Sequence, residues 1–186
     1  MVLWLALVVG LLTGIGVSRL QGRPYHPPLL RHIWLVFVGF LPQFLAIYLI
    51  HTRTLTPDWL AAVGVVVSQV TLFAFAWINR QVPGMPLLMI GLLLNLTVIT
   101  ANGGFMPIAP QTAERLTGHQ GAALLQEGNR FGFKDILLSA QRTRFPWLTD
   151  RFLPPVWFPY QVAFSLGDVL IAAGVFQIFA SQKLKG

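Results

Sequence analysis

Residues 164–176 read FSLGDVLIAAGVF, the interior of a membrane-spanning helix in every respect but one, the carboxylate of Asp168. An unpaired charge in hydrocarbon costs roughly 2.5 to 3.5 kcal/mol on insertion scales, so something must compensate for Asp168 or make use of it. Working outward, Gln161, Ser165, Asp168 and Ala172 recur at helical spacing. That spacing puts the polar groups on one face and predicts a carboxylate turned toward protein rather than lipid. With a rise of about 1.5 Å per residue, Asp168 is expected about 10 Å below Gln161, in the outer third of a core roughly 30 Å thick.

The rest of the chain supplies the membrane context. Of 186 residues, 55% are hydrophobic and 10% charged, against about 25% charged in a soluble domain. Five apolar stretches have spanning length, at about residues 2–17, 33–50, 58–78, 85–101 and 161–180. The expected fold class is therefore all-α: a polytopic membrane protein of five transmembrane helices, forming a single membrane domain over 1–186 with an outer capping segment at 102–160. The net charge of +7 does not point to nucleic acid, because most of the Lys and Arg flank apolar runs and act there as topology determinants. The absence of cysteine excludes a disulfide, a thiolate nucleophile and a Cys-ligated metal.

Orientation follows from those cations. Arg19, Arg23, Arg31, Arg80, Lys183 and Lys185 lie in short connections on one side, against Arg53 alone on the other, so the first set belongs in the cytoplasm. The first run lacks a basic segment before it and carries its charges after it, which reads as a retained span rather than a signal peptide. The N-terminus is then outside, the C-terminus cytoplasmic, and the host membrane the bacterial cytoplasmic (inner) membrane.

Between the spans, Pro24, Pro27 and Pro28 predict a stiff inner hairpin at the lipid headgroups. Pro42 predicts a kink in the second span, with Gln43 as a partner for the freed carbonyl. In the outer segment, short helices are expected at QTAERL and QGAALLQEG, and Trp147, Trp157, Phe158 and Tyr160 suit the membrane–water boundary. Small residues allow close helix approach at Gly10 with Gly14 and at Ala163 with Gly167. His26, His32, His51 and His119 all fall in loops or at span ends, so neither a metal nor a cofactor is expected.

The candidate polar site is Asn95, Asn102, Ser165 and Asp168. Gly91, Asn95 and Asn102 follow helical spacing in the fourth span, so both asparagines could face the interior that Asp168 faces, with Gly103 and Gly104 then turning the backbone. Alternatively Asn95 is interhelical glue and Asn102 a C-cap. In a structural role, Asp168 would accept hydrogen bonds from Ser165, Asn95 or Asn102, pair with Arg142, Arg144 or Arg151 from the outer segment, or stay protonated.

Three stretches, ANGGFMP (101–107), KDILLSAQRTRFPWLTDRFLPP (134–155) and FSLGDVLIAAGVF, together resemble a family of small bacterial integral membrane proteins, domain of unknown function 5317. The resemblance covers about residues 85–180 and matches at Asn102, Gly103, Gly104, Met106, Pro107, Thr143, Asp150, Ser165, Gly167, Asp168 and Gly174. It implies membrane placement and no particular reaction. The stretch from LTDR to FSLGD is also similar to the C-terminal part of lipoprotein signal peptidase, where two aspartates form the catalytic pair; Asp150 and Asp168 would play those parts. Two carboxylates near the membrane surface share a proton and can activate water. Ser165 and Gly167 depart from that family's F-N-x-A-D motif, its GNxxDR motif is missing, and five spans replace four.

The reading adopted is a non-catalytic accessory, scaffold or assembly subunit of a larger membrane complex. Its expected partners are the lipid bilayer and a membrane protein or a second copy, with no nucleic acid. The alternatives are an aspartyl hydrolase using Asp150 and Asp168, or a small proton- or cation-coupled transporter. An accessory subunit should have a lipid-level face of small residues and no internal cavity, whereas a hydrolase needs Asp150 within hydrogen-bond reach of Asp168 and a water path.

Overall fold

A computed structural model describes residues 2–48, 56–122, 126–132, 134–158 and 160–181, without the side chains of 43–48 and 118–122. Among these residues lie six α-helices: α1 (Val2–Leu20), α2 (Trp34–Tyr48), α3 (Asp58–Ile78), α4 (Met85–Ala101), α5 (Pro110–Ala122) and α6 (Leu166–Ala180). Three short strands, β1 (Met106–Ile108), β2 (Arg130–Phe131) and β3 (Asp135–Leu137), and a 3₁₀ turn at Pro146–Leu148 complete the fold. The protein is mostly helical rather than all-α, since the outer segment carries a small sheet.

Five helices form an arc. α1 packs on α6, α6 on α4, α4 on α3 and α3 on α2, while α1 and α2 have no comparable packing with each other. Glycine makes the closest approaches: a Cβ on Gly91 would lie 2.5 Å from the Gly167 carbonyl oxygen, one on Gly174 2.7 Å from the Leu88 nitrogen, and one on Gly10 2.7 Å from the Phe176 oxygen. The small residues of the first span thus face inward onto α6. Ala163, by contrast, lies before α6 begins. The half of the arc nearer the proline-rich loop packs around Phe75, Met85, Leu88, Leu92 and Ile178, and the half nearer the sheet around Val65, Val98, Ile99 and Met106.

Two helices, Val2–Leu20 of 19 residues and Asp58–Ile78 of 21, are long and apolar enough to cross a membrane. Met85–Ala101 and Leu166–Ala180 are apolar but shorter, and α2 is described over 15 residues. By length and composition, then, two helices rather than five meet the spanning criterion. The largest departure is in the last one. A helix was expected from Gln161, but Phe164 is held in an antiparallel bridge to Phe152, with N–H to O distances of 3.0 and 3.1 Å in the two directions. The backbone of Phe164 is therefore committed to the cap, and α6 starts only after Ser165.

The outer segment folds as a cap, though not from the expected pair of helices. QTAERL lies within α5, whereas the described part of QGAALLQEG ends α5 and turns at Gly128; residues 123–125 fall outside the described residues. The chain returns through Gly132 at φ 70°, so β2 and β3 pair antiparallel while β3 runs parallel to β1 in the order β1-β3-β2. Only glycine turns there without strain.

Two asparagines tie connecting segments to helix ends in the same way. At the end of α3, Asn79 accepts from the Arg31 N–H (2.7 Å) and donates to the Arg31 and Phe75 carbonyls (2.9 and 2.8 Å). At the end of α4, Asn102 accepts from the Arg144 N–H (2.9 Å) and donates to the Arg144 and Val98 carbonyls (3.0 and 2.7 Å). Tyr25 adds a bond to the Phe179 carbonyl at 2.8 Å, so the proline-rich inner loop is latched to two helix ends. α2 continues through Pro42. The Gln43 side chain, His51, Arg53, Lys183 and Lys185 lie outside the described residues, as does the His119 side chain; His26 and His32 are exposed in the inner loop.

Candidate functional site

The start of α6 explains the charge inside an apolar run. Ser165 is the N-cap: its hydroxyl accepts from the Asp168 N–H (3.0 Å), and the Asp168 carboxylate reaches back to accept from the Ser165 N–H (3.0 Å). Each member of this capping box satisfies a backbone donor the helix cannot use, and the helix dipole favours a negative charge there. From α4, Asn95 donates to Asp168 Oδ1 (2.9 Å) and accepts from the Ser165 hydroxyl (2.9 Å). The three side chains close a ring across the α4–α6 contact, made possible because Gly167 has no side chain to strike Asn95.

Of the four candidate polar residues, the structure therefore brings together Asn95, Ser165 and Asp168. Asn102 stands apart as the C-cap of α4. The three arginines proposed as partners for Asp168 are placed elsewhere: Arg142 beside Glu127, Arg144 held through its backbone by Asn102, and Arg151 over the Phe152 ring.

The cation at this end is Lys134, which the sequence reading did not single out. Between the β2–β3 turn and β3, it pairs with Asp135 (2.9 Å) and with Asp150. The sheet delivers these groups: Asp135 is in register with Met106 on β1, and Asp150 bridges to Ile108 at the end of β1. Three of the four aspartates in the chain thus surround one ammonium. Burial works against the charge on Lys134, but Asp135, Asp150 and Asp168 outweigh it and hold its pKa well above the ordinary lysine value.

Asp150 is 1% exposed and its Oδ1 has no donor among the described residues. Burial raises its pKa to about 7; Lys134 opposes the rise, and the charges of Asp135 and Asp168 add to it. Burial likewise raises Asp135, which lies within hydrogen-bonding reach of Asp150. A proton kept between these two acids supplies the missing donor and removes one of the crowded charges. No hydrogen bond joins Asp150 to Asp168 among the described residues. The pair required for aspartyl hydrolysis is thus coupled only by charge, and Asp150 has almost no contact with solvent.

Beside this cluster, where the accessory reading expects no cavity, lies one of about 480 Å³, with Lys134, Asp168, Asn95 and Gln69 in its wall. It continues into a wholly apolar chamber of about 250 Å³, the two sharing Leu3, Phe40, Leu72, Leu92 and Ile171. Among the described residues no three His, Asp or Glu side chains are arranged to hold a metal ion. The aspartates converge on an ammonium instead.

Residues 29–180 match a family described as "Family of unknown function (DUF5317)", and the chain belongs to it. A curated relative, an uncharacterized protein of Thermotoga maritima, is 34% identical over 117 residues, covering 60% of each chain. This chain thus spans less than two thirds of that relative's length. No solved structure matches.

Proposed function

We propose that this member of a family of unknown function is a five-span protein of the cytoplasmic membrane that performs no catalysis itself and serves as an accessory or scaffold component of a larger membrane assembly. The reading is carried by the ring of Asn95, Ser165 and Asp168. Both oxygens of the carboxylate are engaged by donors of the fold itself, which supports a structural role for Asp168. Membrane placement is supported by the outward faces of the arc, where Trp4, Leu12, Phe37, Trp59, Val67 and Trp77 are exposed; apolar surface on this scale needs lipid or protein against it. Orientation is supported by Arg19, Arg23, Arg31 and Arg80, which lie in or beside the latched inner loop and the α3–α4 turn.

The test is tagged isolation from gently solubilised native membrane, identifying copurifying proteins by mass spectrometry for wild type and Asp168→Asn. A stoichiometric partner retained by both forms supports the accessory reading. Wild type isolated alone, or a peptide or lipoprotein trapped only by the variant, overturns it.

A further inference from the structure

We infer that the groove between α1 and α2 binds a long-chain alcohol from the bilayer, its hydrocarbon tail in the apolar chamber and its neutral hydroxyl at the level of Gln69 and Asn95. A pure scaffold has no need of this cavity, and three features define its occupant.

The first is an orphaned acceptor. Gln69 is 8% exposed and lines the cavity, yet its Oε1 has no donor among the described residues. Burying such an oxygen unpaired is costly, and a ligand donor removes that cost. Val65 shares a cluster with Ile99, and Leu72 shares one with Leu92. In antiparallel helices these contacts set Gln69 opposite Asn95, so the orphan sits at the polar level of the cavity.

The second is charge. A carboxylate or phosphate head would confront Asp168 in the wall with Asp135 and Asp150 behind it. An ammonium head would confront Lys134, which occupies the same wall, and would find both oxygens of Asp168 already engaged. A hydroxyl meets neither objection: it donates one hydrogen bond and accepts others. Gln69 Oε1 takes the donor. Lys134 has three N–H groups, two of them directed to Asp135 and Asp150, which leaves one for the ligand oxygen.

The third is access. The walls of the lower chamber include α1 and α2, helices that do not close on each other, with Leu7 of α1 and Phe37 of α2 in its lining together with Leu88, Leu92 and Val175. The combined space falls in the range of about 300 to 1,000 Å³ usual for small-molecule sites. A chain can therefore enter sideways from lipid without crossing the polar cap. The inference uses the membrane placement proposed above but not the accessory role.

The test is equilibrium binding of radiolabelled hexadecanol to the purified full-length protein in detergent, competed by chain-matched hexadecane, hexadecanoate and hexadecylamine. The expected result is saturable binding of one alcohol per chain, with each competitor roughly tenfold weaker or worse. Gln69→Leu should abolish the preference for alcohol over alkane while chain binding persists, and Leu88→Trp should weaken every ligand by filling the tail chamber. The wild-type competition series stands even if a variant fails to fold. Equal competition by alkane, stronger binding of the acid or amine, or uptake that never saturates overturns the proposal. A protein that stays soluble and monodisperse without detergent would instead overturn the membrane placement, and that outcome is read separately from binding.

Discussion

Asp168 and Asp150 stand at the same outer end of the arc, in opposite electrostatic circumstances. Asp168 receives Asn95 and the Ser165 N–H at the start of its own helix. Asp150 is buried, shares Lys134 with Asp135, and retains an oxygen with no donor among the described residues. One carboxylate is satisfied by the capping box at its own helix start and by a single amide from α4. The other depends on three strands and a lysine brought from 16 residues away. The difference separates a charge the fold uses from a charge the fold must accommodate.

Removing the cation should break this contrast most severely. Lys134→Met leaves Asp135, Asp150 and Asp168 without their shared counter-charge. Because the Lys134 side chain is 34% exposed, the cost belongs at the low end for a broken buried pair, about 3 kcal/mol at neutral pH. The deficit should shrink in acid as the carboxylates take up protons, measured by denaturant unfolding in detergent at two pH values. Next comes Asn95→Leu, which strips Asp168 of a donor and the Ser165 hydroxyl of its acceptor; unfolding should register about 2 kcal/mol lost.

Asp168→Asn keeps the shape of the capping box but weakens it, at about 1 kcal/mol, and should reduce the pH dependence of stability only in part, because the Asp168 charge is one contributor to the rise at Asp150. In acid the smallest effect belongs to Asp150→Asn. It mimics the protonated acid, so its stability in acid should match wild type within error, while near neutrality it should exceed wild type.

Much of this was legible in the sequence, and the unread part has identifiable causes. The first, third and fourth apolar runs correspond to Val2–Leu20, Asp58–Ile78 and Met85–Ala101. The turn at Gly103 and Gly104 also follows from residue type, both having positive φ. SLGD has the form of a capping box before an apolar run, a local signal. It nevertheless reads as mid-span, because VAF immediately upstream is equally apolar. The pairing that ends the strand there, Phe152 with Phe164, is not local and leaves no pattern in either segment.

Lys134 presents a different difficulty. RFGFKDIL places Gly132 between two short runs with Phe131, Ile136 and Leu137, a hairpin signal that makes β2 and β3 readable in retrospect. That Lys134 would meet Asp150 depends on the pairing of β1 with β3 and on the bridge from Ile108 to Asp150. No spacing rule joins those segments.

The most direct measurement is the thermal midpoint of wild type, Asp150→Asn and Asp168→Asn between about pH 4.5 and about pH 8. Asp150 in the folded protein holds its proton up to about pH 7, well above the ordinary carboxylate value of 3.8. Between those values the folded state binds more protons than the unfolded chain, so stability falls as pH rises and levels off above the folded pKa. The account predicts that decline in wild type, a somewhat smaller decline in Asp168→Asn, and a flattened profile in Asp150→Asn. A flat wild-type profile, or a decline removed by Asp168→Asn instead, would contradict it.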